Sequence, residues 1–248
     1  MSGTTTKVAV AGSGGKMGRA LIEAVAADKA LALASSFDVG DDAAKAIGAG
    51  DVLIDFTRPE GTLAHLAHCV KLGKAMVIGT TGFSDSGRKT IAEAAKRIAI
   101  VQSPNFAVGV NAVFKLAETA ARILGDDYDV EIIEAHHRHK VDAPSGTALE
   151  LGRIVASSLQ RDLKKEARHG REGDVGARPA KQIGFHAIRG GDIVGEHTVV
   201  FAGTGERVEV TVRSQSRATY ATGALRAVKF LAGKQNGLYG MADVLGLK

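Results

Sequence analysis

The chain has 248 residues, 45% of them hydrophobic and 24% charged, which reads as a globular protein with one large core or two modest ones. Net charge is +5, yet aromatics are 4%, tryptophan is absent and most basic residues are dispersed. That pattern excludes a nucleic-acid binder and fits basic clefts that attract small anions.

No uninterrupted apolar run approaches the ~18 residues of a membrane span. The opening MSGTTTKVAVAG lacks the charged start and long apolar run of a secretion signal. Cys69 is the single cysteine and falls in an apolar helical pattern, so a cytoplasmic protein is expected.

Residues 7–11 (KVAVA) read as a buried strand. Met17, Ala20, Leu21, Ala24 and Val25 then recur at helical spacing to about residue 27. Strands are predicted at 30–37, 52–56, 75–78 and 98–101. Helices are predicted at 57–72 and 84–97, the first opened by a Thr57/Glu60 capping box and closed by Gly73. This alternation predicts a Rossmann-like, doubly wound parallel sheet. After Asn105 the pattern changes. Helices are expected at 110–124 and 145–159, and strands at 128–135, 183–189, 195–202 and 207–214. A polar, mobile loop is expected at 161–181. A central α+β domain with a mixed sheet is implied for residues 107–216. A last helix, 218–231, returns to the first domain, which then comprises residues 1–106 and 217–248.

The turn AVAGSGGKMGRAL places Gly12, Ser13, Gly14, Gly15, Lys16 and Met17 between strand and helix, with Gly18 in the helix. A dinucleotide's pyrophosphate needs backbone approach without a Cβ and the N–H groups of a helix start. Asp38 closes the second strand about twenty residues on, where an acid accepts from ribose hydroxyls. Val39, not a cation, follows it. NADH is therefore favoured over NADPH, although Lys16 would reach a 2′-phosphate. Gly79-Thr80-Thr81 and Ser103-Pro104-Asn105-Phe106 follow later strands at the same sheet edge and suit a nicotinamide carboxamide.

In EAHHRHKVDAPSGTA, His136, His137, Arg138, His139 and Lys140 form an unbroken basic run. No metal site is expected, because strand neighbours point to opposite faces and no cysteine is near. Ser145 is a helix cap, with Thr147 and Glu150 as an alternative capping box. The N–H groups of Gly146 and Thr147 make an anion site beside the basic side chains. The ligand should carry more than one carboxylate or phosphate. His136 suits proton donation near neutral pH. On a straight strand Lys140 would stand roughly 13 Å from it, at about 3.3 Å per residue. A turn after His137 would bring the two closer.

These segments, with IDFTRPEGT, IGTTGF and GDIVGEHTVVF, resemble the dihydrodipicolinate reductase family from about Lys7 to the C-terminus. The resemblance implies an NAD(P)H-dependent oxidoreductase of the diaminopimelate and lysine pathway, assembled as a homotetramer, that acts on a small cyclic dicarboxylate. It implies His136 as proton donor or acceptor, Lys140 as catalytic lysine, and His137, Gly146 and Thr147 as substrate contacts. Gly12 to Met17, Asp38, Gly79 to Thr81 and Ser103 to Phe106 match cofactor positions. The chain departs from the family pattern at Val39, where arginine is common, at Ser103-Pro104, and in a short segment between Asp38 and Asp51. Hinges near residues 105–107 and 214–217 would let the two domains close. The competing readings are another dehydrogenase of a small anionic substrate and a non-catalytic NAD-sensing regulator.

Overall fold

A computed structural model describes residues 5–247. Residues 1–4, which open the segment weighed as a secretion signal, lie outside that range. The described chain divides into two compact units. One is formed by residues up to Val108 together with those from Arg217 onward, and the other is Gly109–Ser216.

The first unit contains β1 (Thr6–Ala11), α1 (Lys16–Ala27), β2 (Leu31–Phe37), α2 (Ala43–Ala49), β3 (Val52–Asp55), α3 (Pro59–Leu72), β4 (Ala75–Ile78), α4 (Asp85–Ala94), β5 (Ala99–Gln102), α8 (Ala218–Leu231), β11 (Gly237–Tyr239) and α9 (Met241–Leu245). Its six strands are all parallel, in the order β11-β5-β4-β3-β1-β2. Strand side chains alternate between faces. Val8 and Val10 of β1 therefore join Leu21, Val25, Leu225 and Val228 in one core, while Ala9 and Ala11 join Leu66, Ile91 and Ile78 in the other. Burying each large aliphatic side chain contributes about 1.5–3 kcal/mol. Both faces are covered, which is why the strands read as continuous apolar runs.

The second unit contains β6 (Asp129–His136), α6 (Gly146–Ser158), α7 (Leu163–Glu166), β7 (Ala167–His169), β8 (Ile183–Arg189), β9 (Gly195–Ala202) and β10 (Arg207–Ser214), with most of α5 (Val108–Leu124). The sheet order is β10-β9-β6-β8-β7. The β10–β9 and β9–β6 pairs are antiparallel, and β6–β8 and β8–β7 are parallel. One face carries the core of Val130, Ile132, Leu151, Val155, Phe185 and Phe201. Gly152 lets α6 approach, since a Cβ there would meet the Phe185 ring at 2.4 Å. The opposite face leaves Ile133 and Ile188 exposed.

Several expectations are corrected. The segment at 161–181 is not a plain loop: Asp162 caps α7 through the Lys164 N–H, and β7 pairs with β8. Arg178 then clamps the returning chain through Asp129, Glu131 and the Gln182 carbonyl. Thr57 does not cap α3. Arg58 is the N-cap without a side-chain bond, and Pro59 sets the first turn. The short helix α2, capped by Asp42, and the late elements β11 and α9 were not expected from the pattern.

Candidate functional site

In the first unit the glycine turn is built by close approach. Gly12 has φ +70° and donates its N–H to the Phe37 carbonyl at 2.9 Å. A Cβ at Gly18 would lie 2.1 Å from the Gly12 carbonyl oxygen, so only glycine lets α1 start this close to β1. Gly15 is the N-cap of α1 and supplies no side-chain cap, and the first turn carries no acid. The helix start therefore keeps its partial positive charge for an anion. A bare-backbone cradle at a helix N-terminus fits a dinucleotide pyrophosphate.

Gly12, Gly15, Lys16, Met17 and Asp38 line a cleft of about 720 Å³ shared with Val39, Phe56, Thr57, Arg58 and His65. The Gly14 N–H donates to Asp38 Oδ2 at 2.9 Å and the Val39 N–H to Oδ1 at 2.9 Å. These two bonds, Gly14's first, hold the Asp38 carboxyl below its usual range. Ser13 spends its N–H on the Phe37 carbonyl. Val39 is fully exposed.

Lys16 and Met17 also line a second cleft, of about 410 Å³, with Gly79, Thr81, Pro104, Asn105, Phe106 and Tyr220. A Cβ on Gly79 would strike the Phe56 ring at 2.2 Å, and Phe56 packs on Phe106 with centroids 5.3 Å apart. Thr81 is exposed, but Thr80 is buried and its hydroxyl meets that of Thr62 at 2.7 Å. The Thr80 hydroxyl is thus engaged within the protein. Ser103 Oγ donates to the Asn105 carbonyl, and Asn105 Oδ1 accepts from the Ala107 N–H, so both shape the turn.

Beneath these loops lies a group that the sequence reading missed. Asp55, wholly buried at the end of β3, accepts from Thr57 N at 2.8 Å, Thr57 Oγ1 at 2.7 Å, Thr62 Oγ1 at 3.1 Å and His65 Nδ1 at 2.7 Å. Burial would raise its pKa, but the bonds from His65 and Thr57 outweigh it and hold it low.

In the second unit β6 ends at His136 and the chain turns at once, with the Lys140 N–H closing on the His137 carbonyl at 3.1 Å. Lys140 Nζ donates to Asp142 Oδ1 at 2.8 Å. His137 Nδ1 is buried and meets no hydrogen-bond partner among the described residues. Ser145 is the N-cap of α6, its hydroxyl accepting from the Ala148 N–H, so Thr147 opens no capping box. A Cβ on Gly146 would meet open space.

His136 is not alone. Its Nδ1 donates to Glu134 Oε2 at 2.6 Å, two residues earlier on the same strand face. Glu134 is 1% exposed and also accepts from the Ser145 N–H and, through both oxygens, from Arg189. Burial pushes the His136 imidazolium down, the Glu134 carboxylate opposes that, and the charges of Lys140 and Arg189 add to the lowering, which prevails. His197 packs edge-on to His136 with centroids 5.1 Å apart and pairs with the Ser145 hydroxyl at 3.0 Å. Burial, aided by His136, pushes it down to about 4. Glu134 was legible as an acid inside an apolar strand at even spacing from His136. Arg189 carries no local signal, and His197 lies in the segment GDIVGEHTVVF without a spacing that ties it to His136. Among the described residues no group of three or more His, Cys, Asp and Glu side chains is set to hold a metal ion.

The family model described as dihydrodipicolinate reductase, N-terminus, matches residues 6–106, and the one described as dihydrodipicolinate reductase, C-terminus, matches residues 109–245. A 4-hydroxy-tetrahydrodipicolinate reductase of Aromatoleum aromaticum is 58% identical, the alignment covering 98% of this chain and 96% of the relative. One of Dechloromonas aromatica is 54% identical, covering 99% and 100%. A solved structure of dipicolinate-bound dihydrodipicolinate reductase from Paenisporosarcina sp. TG-14 superposes with a TM-score of 0.80 at 26% identity, covering 97% of this chain and 99% of that one. The chain belongs to the dihydrodipicolinate reductase family.

Proposed function

We propose that this chain is a 4-hydroxy-tetrahydrodipicolinate reductase, an NAD(P)H-dependent oxidoreductase that forms tetrahydrodipicolinate for diaminopimelate and lysine synthesis. The observation that carries the reading is the buried His136, bonded to the same Glu134 carboxylate that holds the N-cap Ser145 of α6. A proton donor and an anion site on one strand-turn-helix suit a ring with two carboxylates.

When bound, the reduced nicotinamide would supply a hydride to C4 of the cyclic dicarboxylate that remains after the ring's 4-hydroxyl has left as water. His136 supplies the proton to the nitrogen-conjugated system. Lys140, His137 and the Gly146 and Thr147 amides hold the carboxylates and fix the ring, so positioning is a large part of the rate. The Gly12–Met17 turn receives the pyrophosphate, Asp38 the adenosine ribose, and Gly79, Thr81 and the Ser103–Phe106 turn the nicotinamide end. NADH is the preferred form. An ionised Asp38 repels a 2′-phosphate, and the exposed Val39 offers it no cation.

A homotetrameric assembly in the cytoplasm belongs to the same reading. Ile133 and Ile188, exposed on the uncovered face of the second sheet, support self-association. No described helix is long and apolar enough to cross a membrane.

The test is steady-state oxidation of NADH and NADPH by the purified protein with freshly generated 4-hydroxy-tetrahydrodipicolinate. Substrate-dependent oxidation, faster with NADH, is expected. No substrate-dependent oxidation of either cofactor overturns the reading.

A further inference from the structure

We infer that Glu134 is a positioning residue: one buried carboxylate fixes both the tautomer of His136 and the place of the Ser145 turn. The inference rests on the role given to His136 above.

Glu134 and His136 lie two apart on β6, so their side chains leave the same face of the sheet. The contact between His136 Nδ1 and Glu134 Oε2 is 2.6 Å. A carboxylate only accepts, so Nδ1 carries the proton. The other ring nitrogen, Nε2, is thereby left as the position that gains and loses a proton. Without that bond either tautomer, and a ring flip, would be open to the side chain.

The second oxygen does different work. Glu134 Oε1 accepts from the Ser145 N–H at 3.1 Å, across 11 residues of chain. Ser145 is the N-cap of α6, so this bond sets where the helix start lies relative to the strand end. Proton donor and anion turn are thus referred to one group. Arg189, from the adjacent strand β8, donates to both oxygens at 2.8 and 2.7 Å and to the Asp142 carbonyl at 2.7 Å. It neutralises a carboxylate that is 1% exposed and ties in the loop after Lys140. The charged and titratable groups facing His136 are Glu134 on its own strand, Arg189 on β8, His197 on β9 and Lys140 in the turn. Of these only Glu134 favours the imidazolium.

The variants are Glu134→Gln, His136→Gln and the double substitution, each compared with wild type for kcat, KM and the pH profile of kcat/KM. Histidine-15N NMR of the wild type is recorded alongside. A glutamine keeps the shape but must surrender a bond, and it removes the charge. Glu134→Gln is expected to lower kcat about 10²-fold, within the range of a mispositioned general acid, to raise KM, and to move the limb set by His136 to lower pH. Because Glu134 acts on kcat through His136, the double variant should turn over no more slowly than His136→Gln alone. The wild-type spectrum should show Nδ1-protonated His136 in its neutral form.

If His136→Gln turns over like wild type, the role of His136 fails first. If His136→Gln is slow while Glu134→Gln keeps both kcat and pH limb, the positioning role is overturned and that of His136 stands. Should Glu134→Gln not fold, the spectrum decides: an Nε2-protonated His136 overturns the inference.

Discussion

The His65 imidazole donates from Nδ1 to Asp55 Oδ2 at 2.7 Å, joining the end of a buried strand to the second turn of the helix that follows it. The other Asp55 oxygen gathers Thr57 and Thr62, and Thr62 reaches Thr80. Loops after β3 and β4 are thereby held by one carboxylate beneath the clefts lined by Thr57, His65 and Thr80.

Asp55→Asn should therefore loosen both loops. Removing the charge from a buried, hydrogen-bonded network costs about 3–5 kcal/mol. In a chain of this size that lowers Tm by roughly 6 to 20 °C, at about 2–4 °C per kcal/mol. The KM for cofactor should rise while the KM for the dicarboxylate stays near wild type. A thermal scan and two substrate titrations check this, and an unchanged cofactor KM would remove Asp55 from the cofactor site.

Acid stability should depend on Glu131. Burial would raise its pKa, but Arg171, Arg178 and His186 all bond to it and hold it at about 2, below the ordinary 4.5. The folded state binds this proton less tightly than the unfolded state does. Its stabilisation is therefore present above pH 4.5 and is lost as pH falls from there toward 2. Urea midpoints at pH 7, 5 and 3 should fall steeply in wild type below pH 5. Glu131→Gln should start lower and fall less. Parallel curves would show that another group carries the acid sensitivity.

Much of this fold was open to a reader of the sequence because the signals are local. The run KVAVA, the glycines after it and Asp38 need only their neighbours to be understood, and the parallel sheet, the Ser145 cap and the Gly73 cap stand where the pattern put them. What was missed depends on distance along the chain. Arg189 meets Glu134 across 55 residues, and His197 meets Ser145 across 52. Thr57 looked like a helix cap because its spacing to Glu60 is right, but Asp55, two residues back, competes for it and wins. The short α7 is set by its Asp162 cap and β7 by backbone pairing with β8, not by any periodicity of their own.

Cofactor choice should respond to position 39. Val39 is fully exposed at the rim of the first cleft beside Asp38. Val39→Arg places a guanidinium where a 2′-phosphate would lie and leaves the protein core untouched. The ratio of kcat/KM for NADPH to that for NADH should rise about tenfold, a change of ~1.4 kcal/mol. Paired kinetics with the two cofactors measure it. An unchanged ratio would move discrimination to Lys16 or Arg58, which line the same cleft.

The pH profile of turnover should differ between free enzyme and complex. Burial lowers the His136 pKa in the unliganded chain. A bound dicarboxylate adds negative charge nearby and favours the imidazolium. The limb in kcat should thus lie at higher pH than the limb in kcat/KM, since the two report the complex and the free enzyme. Coincident limbs would mean that the ligand's charge is not felt at His136.

Proton delivery by His136 to a doubly anionic ring is probed by kcat of the folded His136→Gln protein with freshly generated 4-hydroxy-tetrahydrodipicolinate and saturating NADH. A fall of about 10²–10⁴ relative to wild type is expected, with a smaller change in KM. Turnover within about twofold of wild type, far inside the loss a missing general acid causes, would contradict it.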